Sequence, residues 1–268
     1  MTGDEVNAPS ADPTVSGSTV TVALGTTDGH LLGGRVHYAQ PRAGFRSGIE
    51  PVLLAAAIPA RRGEHVLEGG SGAGAALLCL TARVPGVRAV GVEREPSLVA
   101  LATRNAQANR AAGLAFLAAD VVALPSLYLQ GEVFDHALAN PPYHAPEGTP
   151  SPMVARAWAK QGAPGLLAGW ARALAAPLRH RGTLTFVLPA ASLPECLAAL
   201  AAAGCPARAV LPLWPKPGRP AKLVLTQGTK GGRAPLRVLP GLVLHKADGG
   251  YTEEAEGILR RGAALAME

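Results

Sequence analysis

Asn140-Pro141-Pro142-Tyr143 is the stretch whose residue types speak most directly of chemistry. Two successive prolines fix φ and remove two N–H donors, so the backbone is stiff and its carbonyls stay free to accept hydrogen bonds. Asn140 adds a side-chain acceptor and Tyr143 a flat aromatic face. Acceptors beside a stacking face suit a planar amino group whose ring must be held. Taken alone, the tetrapeptide equally fits a proline-stiffened turn. It follows the apolar run from Val133 to Ala139, which reads as a buried strand. Ligand sites in open α/β sheets collect at such carboxyl ends.

A second chemical segment lies upstream. His65-Val66-Leu67-Glu68 reads as a strand, Gly69-Gly70-Ser71-Gly72-Ala73-Gly74 as a tight turn, and the apolar run from Ala75 to Arg83 as a helix. Strand, glycine turn and helix let a backbone approach a nucleotide-like ligand closely. A further strand from Val87 to Val92 ends in Glu93, 25 positions beyond Glu68. A carboxylate there can accept from both ribose hydroxyls. The strand from Leu114 to Ala119 ends in Asp120, placed for an adenine amino group or, instead, for capping the next helix. Three strands thus end in acids and the fourth at Asn140.

This arrangement resembles the class I S-adenosylmethionine-dependent methyltransferases. Glu68, Gly70, Gly72 and Gly74 meet that family's pattern of an acid followed by alternate glycines. Gly69 departs from it, standing where an apolar residue is usual, and is expected to loosen strand–helix packing. A nicotinamide Rossmann domain shares the glycine loop and the acid but gives no reason for the prolines after strand four. The segment Gln40-Pro41-Arg42-Ala43-Gly44-Phe45-Arg46-Ser47-Gly48-Ile49-Glu50 narrows the resemblance to the bacterial tRNA1(Val) adenine-N6-methyltransferases. There the similarity rests on Gln40, Gly44, Arg46, Gly48 and Leu53-Leu54, with Glu50 in place of the usual Asp. The tail follows that family through Gly218 to Leu225, Lys230 to Arg233, Leu244-His245 and Tyr251-Thr252.

The resemblance implies S-adenosyl-L-methionine as cofactor. Its expected contacts are Gly69, Gly70, Ser71, Gly72 and Gly74 of the loop, Glu93 and Arg94 at the ribose, Asp120 and Val121 at the adenine, and Asn140. Glu68 orients the loop or meets the methionine amine, and Arg46 with Gly48 belong to a segment that closes over the methionine end. The implied acceptor is an adenine in RNA, in the anticodon loop of a valine tRNA, stacked on Tyr143. Asn140 and the Pro141 carbonyl would take its two amino hydrogens, with Pro142 stiffening the turn. Splaying a base out costs least in a loop. His136 and His144 flank the motif, and their plainer reading is a strand-face and a loop histidine. The tetrapeptide also serves protein glutamine methyltransferases and adenine-specific DNA methyltransferases. A non-catalytic cofactor- or RNA-binding module is the rival from another class.

Composition sets the bounds. With 268 residues and 48% hydrophobic, the chain can bury a large core. Apolar runs fall short of a membrane span. The first 17 residues lack a basic head and an apolar block, so a disordered leader is expected rather than a signal peptide. Cys79, Cys196 and Cys205 have neither metal spacing nor an even disulfide count, which points to no metal and a cytoplasmic protein. The net charge of +6 favours a polyanionic partner. Lys216, Arg219, Lys222, Lys230, Arg233 and Arg237 fall in one late segment, either a phosphate-tracking face or a solvated edge of strands and turns.

The expected architecture is α/β: one Rossmann-like class I methyltransferase domain over residues 18–268, with a mostly parallel seven-stranded sheet covered by helices on both faces. A small N-terminal hairpin should pair Thr19–Leu24 with Gly34–Tyr38 through a turn at Thr27-Asp28-Gly29, and residues 18–48 should cover the cofactor. Helices are expected from Glu50, over Pro96–Ala111, Leu166–Ala176 and Leu193–Ala203, and over Thr252–Ala266. Later strands are expected over Thr183–Leu188, Arg208–Leu213 and Lys222–Gln227, the last ones antiparallel.

Overall fold

A computed structural model describes residues 25–43, 47–126, 131, 133–142 and 165–268. Strands β1 (Thr26–Leu31) and β2 (Val36–Pro41) form an antiparallel hairpin. Helix α1 (Glu50–Ala57) follows, then β3 (His65–Gly69), α2 (Ala75–Arg83), β4 (Arg88–Glu93), α3 (Pro96–Ala108), β5 (Leu114–Ala118) and β6 (Phe134–Ala139). Residues 165–268 form α4 (Leu166–Ala175), β7 (Leu178–Pro189), α5 (Leu193–Ala202), β8 (Ala207–Trp214), β9 (Leu223–Thr229), β10 (Arg237–Val238), β11 (Leu242–Val243) and α6 (Glu253–Arg261).

The main sheet runs β5-β4-β3-β6-β7-β9-β8, with β10 and β11 both pairing on β8. Strands β3 to β7 are mutually parallel, and β9 is antiparallel to both β7 and β8. Among the described residues the seven expected strands are present, and two two-residue strands extend the β8 edge to make nine.

Alternation along the central strands explains the two-faced core. Val66 of β3 faces α1 and α2, while its neighbour Leu67 faces α4. In β6, Leu138 joins the first cluster, and Ala137 and Ala139 the second. Asn105 is the one strongly polar residue fully enclosed on α3. Among the described residues, no helix is long and apolar enough to cross a membrane.

The hairpin differs from expectation. Thr27, Asp28 and Gly29 lie inside β1, and the expected strand at Thr19–Leu24 falls outside the described residues. The reversal is instead at Leu32–Gly34, where φ is 49° at Leu32, 63° at Gly33 and 100° at Gly34. Two adjacent glycines absorb positive φ at less cost than Asp-Gly. Helix α6 also ends earlier than expected, because Gly262 takes φ 71° and closes it in the left-handed conformation. Its start is capped by Thr252, whose Oγ1 accepts from the Ala255 N–H at 3.2 Å.

Candidate active site

Register places the two chemical segments side by side. Gly69 at the end of β3 lies opposite Ala139 of β6 and Val92 of β4. Asn140 is therefore level with Gly70 at the carboxyl end of the sheet. The N–H groups of Gly70 and Ser71 both donate to the Val92 carbonyl, at 2.8 and 3.0 Å, which folds the loop over β4.

The glycines differ in what requires them. Gly70 has φ 67°, and a Cβ there would fall 2.8 Å from Trp170 of α4. Gly74 has φ 86°, and its Cβ would meet Phe116 at 2.9 Å. At Gly72 φ is 53°, yet nothing lies within 4 Å of an added Cβ, so that glycine faces open space. Gly69 does not loosen the packing: the volume above it is filled by Leu174 and Val121, whose methyls lie 3.1 and 3.3 Å from the missing Cβ position.

Glu68, Gly70, Ser71, Gly72 and Asn140 line one cleft, walled on the far side by Tyr38 and Ser47. The Glu68 carboxyl is only 4% exposed and its Oε2 has no partner. Burial, reinforced by the nearby Glu93 charge, pushes its pKa well above the ordinary value, against the pull of the Leu77 N–H. Ser71 Oγ is likewise buried without a partner. Two orphaned polar groups in one cleft leave hydrogen-bonding capacity there that a polar ligand can take. Glu93 Oε2 accepts from the Gly72 N–H at 3.0 Å, and Oε1 from the Glu95 N–H at 2.9 Å, so this carboxylate braces the loop from below. Asp120 is exposed, and its Oδ1 accepts from the Val122 N–H at 2.9 Å. The capping role thus takes one of its oxygens. Arg94 is exposed, and Val121 is buried in the core under Gly69.

Sequence reasoning missed the residue that ties the cleft together. Asn105 of α3 is 2% exposed; its Nδ2 donates to the carbonyls of Ala39 and Ala73, at 2.8 and 2.9 Å, and its Oδ1 accepts from the Ala39 N–H at 3.0 Å. One turn on, Asn109 makes the same ladder-like pair with His37. Two amides thus act as a strand edge for β2 and fix the hairpin beside the glycine loop. Within β2, Tyr38 Oη lies 2.8 Å from Ser47 Oγ, and burial raises the phenol's pKa to about 12. The available signal is Asn105 itself, an intrinsically disfavoured residue inside an Ala-containing helix, with a second Asn four residues on at the C-cap.

Other expected residues separate. Arg46 and Tyr143, with His144, lie outside the described residues; Gly48 lies at the entrance to α1, where a side chain would overlap the Glu50 carboxylate. Pro141 is buried and Pro142 half-buried beside Asn140. His136 sits toward the opposite end of β6, with Nδ1 2.8 Å from Thr183 Oγ1 and Nε2 3.1 Å from Glu64 Oε2, and burial lowers its pKa. It is a strand-face histidine.

The six late cations do not form one face. Lys216, Arg219 and Lys222 occupy the β8–β9 turn, at the Asn140 end of the sheet, while Lys230, Arg233 and Arg237 follow β9 to the other end. Lys230 Nζ donates to the carbonyls of Ala175 and Ala176 at 2.6 and 2.8 Å, closing the C-terminus of α4. Antiparallel pairing divided a segment that is continuous in sequence. Among the described residues no group of three His, Cys, Asp or Glu could hold a metal ion.

Comparison with known proteins agrees with this geometry. A family model described as a methyltransferase domain matches residues 60–162. An Agrobacterium tumefaciens protein, described as a predicted O-methyltransferase, is 26% identical with a TM-score of 0.67, over 81% of this chain and 98% of its own. A type I restriction-modification methyltransferase subunit from Streptococcus thermophilus is 19% identical with a TM-score of 0.51, over 70% of this chain and 45% of its own, and shows the fold alone. TrmN from Thermus thermophilus is 22% identical with a TM-score of 0.46, over 64% of this chain and 45% of its own, too loose a likeness to bear on substrate. No curated protein matches the sequence. With the β3 glycine loop, the acids at the strand ends and the class I strand order on one sheet, the chain is an S-adenosyl-L-methionine-dependent methyltransferase.

Proposed function

We propose that this chain methylates N6 of an adenine in RNA, in the anticodon loop of a valine tRNA. The observation that carries the reading is the position of Asn140: it follows β6 directly, beside the stiff Pro141-Pro142 backbone, and lines the same cleft as Glu68 and the glycine loop. A side-chain oxygen and a proline carbonyl there match the two hydrogens of an exocyclic amino group.

The cleft fits the cofactor's charge and shape. Glu68, buried with an unpartnered Oε2, suits the methionine ammonium, whose charge would offset the cost of ionising that carboxyl. The open space above Gly72 admits close backbone approach. By the resemblance, Glu93 at the end of β4 would take the ribose hydroxyls with Arg94 next to it in sequence, and Asp120 with Val121 the adenine; Ser47 lines the cleft, and the segment to which Arg46 and Gly48 belong would close over the methionine end. S-adenosylmethionine, when bound, supplies a methyl group on an electrophilic sulfonium. Asn140 Oδ1 and the Pro141 carbonyl accept from the amino group, turning the nitrogen lone pair out of the ring's conjugation. Tyr143 stacks on the base. Orientation and fixed dipoles then lower the barrier, and the nitrogen releases its proton after transfer, so no strong general base is needed. Lys216, Arg219 and Lys222 carry the phosphate contacts, with Lys230 and Arg233 too distant along β9 to share them.

A second reading takes an oxygen acceptor, favoured by the likeness to the Agrobacterium tumefaciens protein. Labelled methyl transfer to unmodified total tRNA, followed by nucleoside mass analysis, separates the two. N6-methyladenosine supports the proposal. Label on DNA, on a glutamine-bearing release-factor domain or on a small hydroxylated acceptor, with none on tRNA, refutes it.

A further inference from the structure

Strand β8 runs parallel to β6, because β9 is antiparallel to its neighbours on both sides. The turn after β8 therefore opens at the same end of the sheet as Asn140. This turn and the end of β11, where Val243 pairs with Trp214, border an open groove of about 460 Å³. Trp214, Lys216 and Arg219 line it, with Pro217 and Pro220. Its volume is in the range that accommodates a ligand of nucleotide size.

The chemistry of the groove is specific. Residues 214–222, Trp-Pro-Lys-Pro-Gly-Arg-Pro-Ala-Lys, contain three cations and no acid. Three prolines stiffen the turn, and Gly218 takes φ 71° to close it. Trp214 Nε1 donates to the Pro240 carbonyl at 3.1 Å, which pins the indole. Asp248, in the turn after β11, lies 3.9 Å from Lys246 Nζ, which offsets its charge. Lys216 Nζ makes only a long contact, 3.4 Å, to the Ala247 carbonyl. The groove thus offers a fixed aromatic ring flanked by exposed cations, the pairing that single-stranded nucleic acids use for base stacking and phosphate contact.

We infer that this groove is a second substrate subsite, which holds a nucleotide flanking the acceptor adenine by stacking its base on Trp214 and its phosphates on Lys216 and Arg219. The inference rests on the RNA reading above and deepens it. The test uses the full chain and a fluorescent decameric oligoadenylate, titrated from 0.05 to 0.3 M salt. In the double variant Lys216→Ala/Arg219→Ala, the salt slope should fall by about 1.4, or ~0.7 for each lost phosphate contact. Trp214→Ala should weaken binding roughly 5- to 150-fold and Trp214→Phe should restore most of it. S-adenosylhomocysteine affinity is measured alongside and should stay unchanged in all three variants, which separates local from global damage. An unchanged slope and unchanged affinity in the double variant overturn the inference, as does a wild-type chain that fails to bind the decamer. If wild type methylates tRNA and the double variant does so equally at limiting tRNA, the groove is refuted and the adenine-N6 reading stands. If wild type binds the decamer through these residues yet methylates no RNA, the groove stands and the adenine-N6 reading falls.

Discussion

Asn105→Ala is the perturbation that most sharply probes how the hairpin is coupled to the cofactor loop. The substitution removes three hydrogen bonds, to Ala39 N–H, Ala39 O and Ala73 O, from a side chain 2% exposed. At about 0.5–1.5 kcal/mol net for each bond, the loss is about 2–4 kcal/mol. For a protein of this size that is a drop of roughly 5–15 °C in Tm. Asn109→Ala is the matched control. It also loses three bonds, to His37 N–H, His37 O and Asn105 O, but none to the glycine loop. Both variants should unfold earlier by similar amounts. Only Asn105→Ala should also weaken S-adenosylhomocysteine binding, by about tenfold or ~1.4 kcal/mol, because Ala73 and the Tyr38–Ser47 wall lose their common anchor. Calorimetric titration at 15 °C, with both variants folded, measures this. Equal cofactor affinity in the two variants would refute the coupling.

Three further outcomes follow from the same contacts. Glu68 has its pKa raised in the folded state, so its contribution to stability is fully present below the unfolded value of 4.5 and lost as pH rises through the folded one. Glu68→Gln should therefore raise the cofactor-free Tm at pH 8, with each tenfold of lost acidity worth about 1.4 kcal/mol, and flatten the pH dependence; a Tm profile parallel to wild type contradicts this. Gly91→Ala drives a Cβ to 2.6 Å from Phe116 and 2.8 Å from Ser71, and should cost about 1–3 kcal/mol in chemical denaturation, whereas an unchanged midpoint would show that the ring yields freely. Lys230→Met should lower Tm through loss of the α4 carbonyl contacts while leaving the salt slope of oligoadenylate binding untouched; a reduced slope would return Lys230 to the RNA surface.

Local chemistry made much of this molecule legible in its sequence. Strand β3, the glycine turn and α2 are contiguous, so composition and order sufficed to find them, and Glu93 follows from the end of the next strand. The hairpin turn was misplaced because Asp28-Gly29 and Gly33-Gly34 are both turn signals within a few residues, and pairing across the hairpin chose the second. Strand β7 extends back to Leu178 through polar Arg179-His180-Arg181-Gly182, which carries no alternation; a register shift against β6 admits it. The cations after β8 read as one patch because sequence proximity conceals an antiparallel reversal. Asn105 was invisible for a related reason: its partners, Ala39 and Ala73, are backbone groups in two distant segments, and no side-chain motif marks them.

The central claim is that Asn140 grips an acceptor amino group rather than serving the fold. Single-turnover methyl transfer to tRNA by Asn140→Ala, with S-adenosylhomocysteine affinity measured on the same preparation, tests it most directly. The account predicts a rate lower by about 10²–10³-fold, the usual cost of losing one aimed polar group, with cofactor affinity within a few-fold of wild type. Transfer at the wild-type rate, or a loss of rate matched by an equal loss of cofactor affinity, would contradict it.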